Sequence, residues 1–98
     1  MAEQEIQIQL DEQMMKGVYA NLAVISHNEN EFITDFIFIH PPQGKVVSRV
    51  IFSPSHAKRL LNALTDNVKQ YEKMFGKIPE PKQPPPPTPG IGIQLSKN

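Results

Sequence analysis

The chain has 98 residues, with ten basic side chains balancing ten acidic ones and no cysteine. That length allows one domain with a thin core, and a formal charge of zero argues against a dedicated nucleic-acid binder or an electrostatic membrane anchor. Without cysteine there are no disulfides, no thiolate metal sites and no thiol catalysis.

The N-terminus, MAEQEIQIQL, lacks the basic stretch and apolar core of a secretory signal. No apolar run reaches the length of a membrane span, so the expected location is the cytoplasm. Residues 5–10 alternate strictly, with Ile6, Ile8 and Leu10 apolar and Glu5, Gln7 and Gln9 polar. This is the period of a half-buried strand at a sheet edge. Residues 11–17 break the period and read as a connection. Residues 18–27 are a second strand, residues 31–40 a third and the richest in apolar side chains, and residues 46–52 a fourth. The turn chemistry of Asn28-Glu29-Asn30 and Pro41-Pro42-Gln43-Gly44 joins them as antiparallel hairpins.

Three-residue connections would set His27 opposite Glu31 and His40 opposite Gly44. One sheet face then gathers Leu22, Val24, Phe32, Phe36, Phe38, Val46, Val50 and Phe52 and is expected to form the core. The other gathers Tyr19, Ile25, Ile33, Asp35, Ile37, Ile39, Val47, Arg49 and Ile51. In this register Asp35 and Arg49 are directly opposite, and a slip of one residue would separate them.

Ser53-Pro54 is a helix start, since serine caps well and proline suits the first helical position. Ala57, Leu60, Leu61, Leu64, Val68, Tyr71 and Phe75 follow at helical spacing, a single stripe expected to face the sheet, and Gly76 is a natural stop. The expected fold is therefore α+β over residues 1–78: an antiparallel meander of about four strands, then one long amphipathic helix. Residues 79–98 form a proline-rich tail, extended or disordered. Within it Gly90-Ile91-Gly92-Ile93-Gln94-Leu95 repeats the alternation of the N-terminus, so docking as a strand is the alternative reading.

One helix covers one face of such a sheet. The face bearing Tyr19, Ile25, Ile33, Asp35, Ile37, Ile39, Val47, Arg49 and Ile51 is left over, and apolar surface of that extent points to a homodimer or higher oligomer. Coverage by residues 1–17 or by the C-terminal segment is the alternative. No catalytic constellation stands out. His27, His40 and His56 match no metal-binding spacing, there is no nucleophile elbow, and the five glycines form no phosphate loop. Ser53, Ser55, His56 and Arg59 at the helix start are a candidate anion site, with ordinary capping as the simpler explanation. No cofactor is expected.

Several short motifs carry a family resemblance: Tyr19-Ala20-Asn21, Ser26-His27, Glu31-Phe32, Asp35-Phe36, Arg49-Val50, the run from Ser53 to Leu60, and Asn67 with Tyr71-Glu72. Together they resemble a family of short prokaryotic proteins catalogued only as a domain of unknown function. The resemblance covers about residues 5–75 and implies a prokaryotic cytoplasmic protein without implying an activity. In architecture alone, strands followed by a long helix look like the export chaperone SecB. The expected function is a non-enzymatic oligomeric binding protein, with self or another protein as partner. A chaperone-like holder of extended peptides and a weak nucleic-acid binder acting through paired helices are the alternatives.

Overall fold

A computed structural model describes residues 4–80. The chain falls into two compact units, the first ending at Leu61 and the second beginning at Asn62. The elements in chain order are α1 (Glu12–Met15), β1 (Leu22–His27), β2 (Phe32–His40), β3 (Gln43–Phe52) and α2 (Pro54–Phe75). The fold is α+β, a three-stranded antiparallel sheet in the order β1-β2-β3 followed by the long helix. The proline-rich segment and its Gly90-to-Leu95 alternation lie outside the described residues.

The strand expected over residues 5–10 does not form. Residues 5–10 are irregular, and Ile6, Ile8 and Leu10 are 79%, 89% and 66% exposed. Alternation specifies the two faces of a strand, but a strand exists only where its backbone groups find a ladder partner. Among the described residues nothing pairs with this segment. The chain then makes one turn of helix, capped by the Asp11 carboxylate accepting from Met14 N–H at 2.8 Å, and leaves it through Gly17 at φ 67°.

β1 starts at Leu22 rather than Val18 because Asn21 ends the ladder with its side chain. Its Oδ1 accepts from Ile39 N–H at 2.8 Å and its Nδ2 donates to the Ile39 carbonyl at 3.0 Å. The amide satisfies Ile39 as a neighbouring backbone would, and the main chain upstream is released.

Both turns differ from expectation by one residue. Between β1 and β2, Asn28 Oδ1 accepts from the N–H groups of Asn30 and Glu31, at 2.8 and 3.0 Å. This Asx turn draws Glu31 into the loop, so His27 opposes Phe32, not Glu31. Between β2 and β3 the loop is only Pro41-Pro42, joined by a cis bond, and His40 opposes Gln43, not Gly44. The register then shifts between Phe36 and Ile37: Ile37 pairs with Val46 and Phe36 with Ser48, leaving Val47 as the extra residue of a bulge. Beyond the bulge the expected pairing holds, with Asp35 opposite Arg49.

α2 has the expected ends. Ser53 Oγ accepts from His56 N–H at 3.2 Å, Pro54 is its first residue, and Gly76 leaves it at φ 96° while donating to the Glu72 carbonyl at 2.9 Å. The 22 residues span about 33 Å. Each unit taken by itself, no residue of α2 is buried. Helical spacing states which face can be buried, not what buries it. The phenylalanine-bearing face of the sheet is likewise no core. The buried residues among those described are Thr34, Asp35 and Ile37, all on β2, where both neighbouring strands shield the central one.

Thr34 lies between Ile25 and Val50 and its Oγ1 is buried without a hydrogen-bond partner. A buried hydroxyl left unpaired costs about 1–3 kcal/mol, and valine keeps the shape and the β-branch. Thr34→Val is expected to raise the denaturation midpoint, by up to about 1 kcal/mol in stability. A loss of that size in urea titrations would show that the hydroxyl has a partner.

Candidate interaction surface

Opposite residues of an antiparallel pair share a face, so the register assigns the side chains. One face carries Ser26, Ile33 and Ile51 in a first row, Val24, Asp35 and Arg49 in a second, and Leu22, Ile37 and Val46 in a third. The second row holds the charged pair. Arg49 Nε donates to Asp35 Oδ1 at 2.6 Å and Arg49 Nη2 to Asp35 Oδ2 at 2.8 Å, the two-pronged geometry that fits guanidinium to carboxylate. The Asp35 side chain is 6% exposed and that of Arg49 56%, so the pair is buried at the acid end and open at the base.

The hydrogen bonds from Arg49 hold the Asp35 carboxyl below its ordinary pKa, against the opposing effect of burial, and its positive charge adds to the lowering. Arg49 is raised in turn, chiefly by the same hydrogen bonds. An acid held ionised in this way is an anchor for an arginine and a poor proton donor.

Of the residues expected on this face, Ile33, Asp35, Ile37, Arg49 and Ile51 are there, and Ile39 continues it along β2, opposite Gly44. Three are not. Ile25 opposes Thr34 and so belongs to the other face. Val47 is the bulge residue, with no opposite partner. The ring of Tyr19 meets Phe38 edge-on at 6.0 Å, on the side away from Ile37. Leu22, Val24 and Val46 take their places, because the Asx turn and the two-residue proline loop each moved a register by one.

The opposite face carries an aromatic row that the expected register divides between faces. His27 stacks on Phe32 at 5.3 Å, Phe32 lies parallel to Phe52 at 6.3 Å, and His56 meets Phe52 edge-on at 5.4 Å. Asn28, with an acceptor oxygen two and three residues before the next N–H groups, was the local signal that would have placed His27 beside Phe32.

Ser53 precedes α2 as its cap, and Ser55 and His56 lie in its first turn. The Ser53 hydroxyl is occupied as the cap and sits 3.3 Å from that of Ser55. Nothing among the described residues ties Arg59 to them, so these residues read as a capped helix start. No helix among the described residues is long and apolar enough to cross a membrane.

Residues 1–80 match the family model described as "Protein of unknown function (DUF3467)". No curated protein and no solved structure matches the chain.

The charged pair gives a pH signature. Because the native-state pKa of Asp35 is depressed, its contribution is complete above the unfolded-state carboxylate range and is lost as pH falls through the lowered value. The stability advantage of the native chain over Asp35→Asn is therefore expected to be level near neutrality and to shrink below about pH 4. Urea midpoints over a pH series measure it. An advantage unchanged down to about pH 2 would show that ionisation of Asp35 contributes nothing.

Proposed function

The chain belongs to the DUF3467 family, and we propose that it is a non-enzymatic interaction protein working in the cytoplasm as a homodimer or higher oligomer. One observation carries this reading: Ile37 is the single buried apolar residue among those described. Hydrophobic burial is the main favourable term in folding; one fully buried isoleucine is worth about 1.5–3 kcal/mol, and the half-buried apolar side chains of the sheet contribute only part of theirs against the ordering of a sheet and a 22-residue helix.

Each compact unit has apolar surface of its own to cover. In the first, Ile51, Val46, Ile25, Val50 and Phe38 are exposed on the two sheet faces; in the second, Leu64, Val68, Tyr71, Met74 and Phe75 are exposed on α2. Patches of this extent are characteristic of surfaces that associate. Sheet-on-sheet packing between copies places the Asp35–Arg49 pair in the interface, where a buried pair sets register and orientation more than it adds stability. The non-enzymatic part rests on chemistry: Asp35, the buried carboxylate of the described residues, is held ionised by its arginine.

Light scattering at micromolar concentration is expected to give a multiple of the 11.1 kDa chain mass. Ile51→Lys and Leu64→Lys, at exposed positions in the two units, are expected to lower that mass or the denaturation midpoint. A wild-type monomer whose stability neither substitution changes would end the proposal. A wild-type monomer that suppresses aggregation of unfolded clients would support the peptide-holding alternative instead.

A further inference from the structure

Among the described residues nothing pairs with the outer edge of β1. β1 is Leu22-Ala23-Val24-Ile25-Ser26-His27, with no lysine, arginine, acid or proline, and its pairing with β2 runs without a bulge. Soluble proteins guard exposed edges with those features, because an open row of N–H and C=O groups is a template for another strand. The other edge of the same sheet is guarded: β3 carries Lys45, Arg49 and the Val47 bulge. The contrast marks β1 as the edge built to be paired.

The same chain holds a strand without a sheet. Residues 5–10 match β1 in length, alternate apolar and polar at every position, are irregular, and expose Ile6, Ile8 and Leu10. Both side-chain rows of β1 are largely apolar, Leu22 and Val24 on one face and Ala23 and Ile25 on the other. An added strand would extend an apolar row with its isoleucines and show Gln7 and Gln9 on its other side.

We propose that residues 5–10 of one copy add as a strand to the outer edge of β1 in a second copy. This deepens the homo-oligomeric reading and rests on it. The segment does not pair with its own β1, to which it is joined through the Asp11-capped turn and Gly17. Exchange between two copies satisfies both at once: each donates one segment and receives one on β1, a closed two-fold arrangement that leaves neither segment nor β1 edge open. Each protomer then holds a four-stranded sheet whose outermost strand belongs to its partner.

The absence of cysteine from the chain makes the test direct. Single variants Gln7→Cys or Ile8→Cys, carrying one affinity tag, are mixed with Val24→Cys or Ile25→Cys carrying another, exchanged through mild denaturant and oxidised. The expected result is a disulfide-linked species bearing both tags in at least one combination, with Ile8→Pro reducing the wild-type dimer to monomer. Three results would overturn the proposal. Cross-linking only within one chain, in double variants, would mean that the segment docks on its own edge. Cross-linking of Ile25→Cys to itself alone would mean that two β1 edges pair directly. No cross-link in any combination, with the wild-type dimer intact, would refute strand donation while leaving the oligomeric reading in place. A monomeric wild type removes that underlying reading as well.

Discussion

The sheet is organised around the contact between Asp35 and Arg49. The two-residue proline loop starts the β2–β3 hairpin in a register that, continued unchanged, would set Asp35 opposite Ser48. The bulge at Val47 absorbs one residue and brings Arg49 opposite instead. An unpaired buried carboxylate is costly, whereas one gripped by both prongs of a guanidinium is not. The charge pair therefore gives the bulge a physical reason, and the bulge in turn decides that Val46, not Val47, faces the same way as Ile37.

From that register follows a sheet with two usable faces and unequal edges. The face of Ile33, Ile37, Ile39 and Ile51 is apolar around a charged centre; the opposite face is lined by Phe32 and Phe52 between two histidine rings. Neither is a closed core. The helix α2 is amphipathic and has no buried residue.

Much of this was legible along the chain, and the misses have identifiable causes. Helix α2 was read to its residue limits because its ends are decided locally, by a serine hydroxyl and a left-handed glycine. The strands of the two hairpins were legible from apolar content and turn residues. The register of β1 was not: it turned on whether Asn28 would recruit Glu31 into the loop, a one-residue choice that transfers Ile25 and Val24 to opposite faces. Hence the expected sharing of a sheet face holds for β2 and for most of β3, and fails at Ile25, Val47 and Tyr19. The start of β1 was misjudged because Asn21 completes the ladder with a side chain, which apolar periodicity does not register. Residues 5–10 have the pattern of a strand and, among the described residues, no ladder, since alternation does not supply a partner strand.

By itself the sequence determined the α+β class, the order and kinds of elements after residue 17, both ends of α2, and the opposition of Asp35 and Arg49. These depend on residues near one another in the chain, or on a charge that tolerates few partners when buried. The tertiary structure alone decided the bulge, the faces to which β1 presents its side chains, the aromatic row, and which apolar residues of those described are exposed. Those are outcomes of pairing and burial between distant segments, where a difference of one residue in a turn reverses a face and where no local pattern states whether a partner is present.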